Sequence, residues 1–106
     1  MATDRLDTLK NMLEQDPRNG FARYGLAMEY VNRGEHDRAL AEFDTLLADD
    51  PDYVAGYYHG GRTLEKSGRI DDARAMYERG IVAAKRKGDQ HALSEMQAAL
   101  DMVGLT

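Results

Sequence analysis

Residues 20–53, GFARYGLAMEYVNRGEHDRALAEFDTLLADDPDY, and residues 54–87, VAGYYHGGRTLEKSGRIDDARAMYERGIVAAKRK, are two copies of one pattern. Laid over each other they match at Tyr24/Tyr58, Gly34/Gly68, Asp37/Asp71, Ala39/Ala73 and Ala41/Ala75. The chain's two prolines, Pro17 and Pro51, each follow an aspartate and stand 34 residues apart, the same period. Self-similarity at this spacing marks helix–turn–helix units that stack on one another.

The physical pattern inside each copy agrees. Leu26, Ala27 and Tyr30 share one helical face, and Ala39, Leu40, Phe43, Leu46 and Leu47 share a face of the next helix. Gly34 and Gly68 stand where the first helix of each copy stops, because glycine enters the left-handed C-cap conformation at little steric cost. Asp37, Asp71 and Asp72 then fall in the first turn of the following helix, where negative charge complements the helix dipole. Upstream, Leu6, Leu9, Leu13, Asp16 and Pro17 align with Leu40, Phe43, Leu47, Asp50 and Pro51, so the chain begins with half a unit, residues 5–17. Downstream, Lys85-Arg86-Lys87-Gly88 ends a helix with basic charge and a glycine. Residues 89–103 form a last helix with Leu93, Met96, Leu100 and Val103 on one stripe. A single hairpin cannot bury its apolar face, so this final helix is expected to cap the stack.

These residues carry a resemblance to the tetratricopeptide-repeat family, over residues 5 to about 87. Its signature of a large residue, Leu-Gly, an aromatic, a small buried residue, another aromatic and a closing proline is met in the first copy by Arg23, Leu26-Ala27, Tyr30, Ala39, Phe43 and Pro51. The second copy has Tyr57, Gly60-Gly61, Leu64, Ala73 and Tyr77. Three positions depart: Arg23 replaces a large apolar residue, Gly60 replaces leucine, and Lys85 stands where a third proline would close the array.

The resemblance implies an all-α superhelix of about six antiparallel helices in one domain, 1–106, with a half-repeat at 5–17, repeats at 20–53 and 54–87, and a cap at 89–103. It further implies that the first helices line a concave groove that holds a protein or peptide. Carried over by alignment, the groove residues are Phe21, Tyr24, Met28, Val31 and Asn32, then Ala55, Tyr58, Arg62, Glu65 and Lys66. The family branch that clamps a terminal carboxylate uses lysine and asparagine at groove positions. This chain has Tyr24 and Met28 at the first two of those places, so that clamp is not expected.

Phe21, Tyr24, Met28 and Val31 give residues 19–33 a second apolar face beside the core stripe. Such a face is either a partner surface or is covered internally, by the amino-terminal half-unit or the final helix. With Arg62 and Lys66 it suggests a ligand with apolar side chains and an acidic group; the alternative is an ordinary solvated helix face. Gly56, Gly60 and Gly61 follow no strand and precede no Lys-Ser or Lys-Thr, so they read as close helix packing instead of a phosphate loop, with a small cavity expected beside Gly60.

No catalytic or cofactor pattern emerges. The chain has no cysteine, which excludes disulfide and thiolate chemistry. His36, His59 and His91 fall on different helices without metal-ligand spacing and are expected at the surface. Neither Ser67 nor Ser94 sits in a nucleophile elbow. A net charge of −5 disfavours nucleic acid, and Lys85-Arg86-Lys87 is too short a run to offset it. Met1-Ala2-Thr3-Asp4-Arg5 leads straight into a charged helical pattern, and no segment has membrane-spanning length, so a cytoplasmic location without membrane contact is expected. The leading expectation is a non-enzymatic interaction module without cofactor or metal. Its rival is a homodimer pairing through the apolar stripe or through Met102, Val103 and Leu105.

Overall fold

The computed structural model describes residues 4–105; Met1, Ala2, Thr3 and Thr106 of the expected 1–106 domain lie outside the described residues. Six helices and no strand occur among the described residues: α1 (Arg5–Gln15), α2 (Gly20–Asn32), α3 (His36–Asp49), α4 (Val54–Lys66), α5 (Ile70–Lys87) and α6 (Gln90–Met102). The all-α helical-repeat architecture expected from the period is the one observed.

Local chemistry explains the boundaries. Asp4, Asn19 and Asp89 cap α1, α2 and α6 by accepting from the backbone N–H of Leu6, Ala22 and Ala92. Helices α3 and α5 start without a side-chain cap and carry acids in the first turn instead, Asp37 in one and Asp71 and Asp72 in the other. Gly34 and Gly68 take φ of +75° and +78°. Just beyond each, the N–H of Glu35 reaches the Tyr30 carbonyl at 2.9 Å and that of Arg69 reaches Leu64 at 2.8 Å, closing the two first helices with the bond of a Schellman turn. With no proline at position 85, α5 runs 18 residues against 14 in α3, and Gly88 ends it at φ +69°.

Each helix packs on the next in sequence, and α4 also touches α2 and α6, so the three first-type helices lie side by side along one face. Helix α6 therefore occupies the place of a first helix in a further unit. Buried side chains fall into two groups. Leu9, Leu13, Leu26, Tyr30, Ala39 and Phe43 hold α1 to α3 together; Leu40, Leu47, Tyr57, Met76, Tyr77 and Met96 belong to the larger group that holds α3 to α6. Val103, expected on the stripe of the last helix, is buried from an extended position just past its end.

The glycines of α4 serve close packing, as their context suggested, but the cavity expected beside Gly60 is filled. Atoms of Met76 lie 3.4 to 3.7 Å from where a Cβ on Gly60 would stand, an ordinary contact distance. Gly61 is different: the buried Tyr77 ring lies where its Cβ would be. Phe43, one period before Tyr77, packs in the same core as Ala27, one period before Gly61.

Candidate functional site

The sequence-selected residues do not form one continuous surface. Met28, Val31 and Asn32 from α2 and Tyr58, Arg62 and Lys66 from α4 line one groove of about 220 Å³, together with His59 and Thr63. The spacing places them there: 28 and 31–32 are one turn apart on α2, as 58, 62 and 66 are on α4, so each helix turns a single edge to the seam between them.

Phe21 stands apart, contrary to the expectation of one stripe. It is 75% exposed and lines a separate depression with Arg18, Leu46, Asp49 and Tyr53, at the corner where α3 hands over to α4. The reason is the length of the helix. Seven residues separate Phe21 from Met28, about 10 Å of helix axis, and between them Tyr24 packs against Tyr53 (centroids 5.5 Å apart) and His59 (5.8 Å). Tyr24, Met28 and Val31 are half-buried, and this partial cover of Tyr24 comes from Tyr53 and α4. Burial raises the pKa of the Tyr24 hydroxyl above its ordinary value. Ala55 is exposed at the start of α4 and lines neither depression.

His59 corrects the expectation of a surface histidine. It is half-buried, in edge-on contact with Tyr58 at 5.1 Å and with Tyr24. Burial pushes its pKa below the ordinary value, with Arg62 and Lys66 acting in the same direction and Glu95 of α6 opposing.

On the other side of α4 lies a second depression of about 430 Å³, formed by Tyr58, Arg62 and Glu65 with Glu95, Ala98, Ala99 and Met102 of α6. Tyr58 and Arg62 are thus the shared wall of both spaces. Arg62 Nη1 donates to the Tyr58 hydroxyl at 3.0 Å, with the guanidinium 5.8 Å from the ring centroid, so each side chain fixes the other. Glu65 accepts from the hydroxyl of Tyr77, whose pKa is driven upward first by burial and then by that bond.

The residues from α6 were missed because register alone does not reach them. First helices begin at 20 and 54, but the next begins at 90, not at 88. Arithmetic on the 34-residue period therefore puts the wrong side chains in the groove. His59 was missed because its neighbour Tyr58 carries the repeat identity.

Among the described residues no group of three or more His, Cys, Asp or Glu could hold a metal ion, and no helix is long and apolar enough to cross a membrane. The α2–α4 groove is lined by apolar, aromatic and cationic side chains with Asn32 and Thr63, a lining that can hold side chains of another chain.

The family model described as Tetratricopeptide repeat matches residues 24–92. A TPR repeat-containing protein of Pseudomonas aeruginosa is 30% identical over 95 residues, 90% of each chain. The crystal structure of a tetratricopeptide repeat domain protein from Salinibacter ruber superposes with a TM-score of 0.77 at 44% identity, covering 83% of this chain and all of that one. A protein from Bordetella parapertussis, solved in solution, gives 0.81 at 31% identity, with 94% and 87% covered.

Proposed function

Because this chain belongs to the tetratricopeptide repeat family, whose members are in general non-catalytic protein-interaction modules, we propose that it holds a peptide segment or a helix of a partner protein in the groove between α2 and α4. The observation that carries this reading is the groove itself. Met28 and Val31, half-buried where they pack against the core of α1 to α3, leave their remaining surface to line an open seam with the Tyr58 ring, Arg62 and Lys66. Apolar surface of this kind, rimmed by polar groups, is what a docked segment covers. We read residues 20–53 and 54–87 as the two full repeats of a single domain, with 5–17 as the half-repeat before them and 89–103 as the cap.

The test is a partner captured from a lysate of the source cells, then titrated into labelled protein while amide shifts are followed. Shifts centred on residues 28–32 and 58–66, abolished by Met28→Glu, support the reading. Contacts confined to other surfaces sink it.

A second reading, pairing of two copies, draws on the exposed apolar side chains Met102 (65%) and Leu105 (69%) at the carboxyl end. Val103 has no part in it, since it is buried. Light scattering separates the two readings: a particle of monomer mass at high concentration eliminates pairing.

A further inference from the structure

The two spaces that share Tyr58 and Arg62 differ in charge. The α2–α4 groove is lined by Arg62 and Lys66 and by no carboxylate, whereas the α4–α6 depression is lined by Glu65 and Glu95. Glu65 is already engaged by the Tyr77 hydroxyl. Most arginines elsewhere, from Arg5 to Arg86, reach a carboxylate within 4.0 Å. Among the described residues neither Arg62 nor Lys66 has such a partner, and the one hydrogen bond of Arg62 goes to a neutral hydroxyl. In a chain of net charge −5, two unpaired cations one helical turn apart, beside half-buried apolar side chains, form a local site for the opposite charge.

Building on the groove reading above, we infer that the docked segment is acidic and apolar at once. A carboxylate side chain seats between Arg62 and Lys66, and a large apolar side chain of the same segment lies against Met28, Val31 and the Tyr58 ring. The guanidinium is held in place by Tyr58 before the ligand arrives, which lowers the ordering cost of a charge-assisted hydrogen bond to it. Glu95, across the shared wall, repels a second carboxylate. The acidic residue is therefore confined to the α2–α4 side, and the part of the segment that crosses toward α6 is neutral or basic.

The experiment is a selection of random 12-residue peptides displayed on phage against three immobilised proteins: wild type, Arg62→Gln/Lys66→Gln, and Met28→Glu. Arg62 and Lys66 are exposed and Met28 is half-buried against the core of α1 to α3, so circular dichroism and a thermal melt check that each variant stays folded. On wild type, Asp or Glu beside Leu, Phe, Tyr or Trp is expected among the enriched peptides. Replacing that acid by its amide in a synthetic copy is expected to weaken binding about tenfold on wild type and not at all on Arg62→Gln/Lys66→Gln. Enriched peptides that need Met28 but show no preference for acid overturn this inference and leave the groove reading standing. So does an amide peptide that binds wild type as well as the acid does. Peptides that bind Met28→Glu as well as wild type, or no enrichment at all, overturn both.

Discussion

Arg23 and Tyr57, one repeat apart, make the same contact with different chemistry. Arg23 Nη2 donates to the carbonyl of Pro17 at 3.0 Å, and Tyr57 Oη donates to the carbonyl of Pro51 at 2.7 Å. Each ties the second turn of a first helix to the proline that precedes it. The arginine adds an ion pair with Glu42 at 2.6 Å, mostly shielded from solvent, which is why a charge is tolerated where the family places a large apolar residue. Arg23→Ala is expected to lower stability by about 1–2 kcal/mol and Tyr57→Phe by about 1 kcal/mol, read from urea unfolding. Arg23→Tyr, which copies the second repeat, is expected to lose less than Arg23→Ala.

The paired glycines of α4 give opposite expectations. At Gly60 a methyl group meets only the flexible end of Met76 at ordinary distance, and alanine favours helix. Gly60→Ala is expected to raise stability by about 0.5–1 kcal/mol. Gly61→Ala drives a methyl into the buried Tyr77 ring and is expected to cost about 1–3 kcal/mol. Thermal melts of the two variants check the sign as well as the size.

Much of the fold could be read from a few residues. The Asp-Pro pairs set the period, Gly34 and Gly68 set the turns, and the alternating stripes of α3 set its buried face, because these are local demands of backbone geometry and helical period. The site was legible only in part. Met28, Val31 and Arg62 follow from the register. Two features could not: the separation of Phe21 from them, which depends on Tyr53 arriving from the α3–α4 connection, and the burial of His59, which depends on Tyr24. Contacts of that kind arise from the angle at which helices cross, and a one-dimensional pattern does not encode it.

Acid should expose the state of His59. Its pKa in the folded chain lies below the ordinary 6.5, so at low pH the unfolded chain takes up the proton more readily than the folded one. The groups facing it are Tyr24 from α2, Glu95 from α6, and Arg62 and Lys66 from its own helix. Nothing is lost above the ordinary value, and stability falls as pH drops through 6.5 toward the folded pKa. A melting temperature measured from about pH 7.5 to about pH 5 is expected to decline less in His59→Gln than in wild type. Parallel curves would exclude His59 as a source of the decline.

Phe21 is a control for the groove. Being exposed and outside the α2–α4 seam, it is expected to tolerate serine within about 0.5 kcal/mol. Phe21→Ser should also leave selected peptides bound with unchanged affinity. A large loss of binding would mean that the docked segment runs past Tyr24 to the corner of α3 and α4.

Helix α3 contributes to both groups of buried side chains, with Ala39 and Phe43 on one side and Leu40 and Leu47 on the other. This has a kinetic meaning. Helices touch only near neighbours along the chain, so contact order is low and folding should be fast, on the microsecond-to-millisecond scale of helical bundles. A nucleus that includes α3 can grow toward either terminus. Opening can likewise begin at α1, which packs on α2 alone, while the larger group from α3 to α6 stays folded. The residues of α2 that line the groove then belong to the half that opens first, and a ligand that bridges α2 and α4 would slow that opening by joining the two halves.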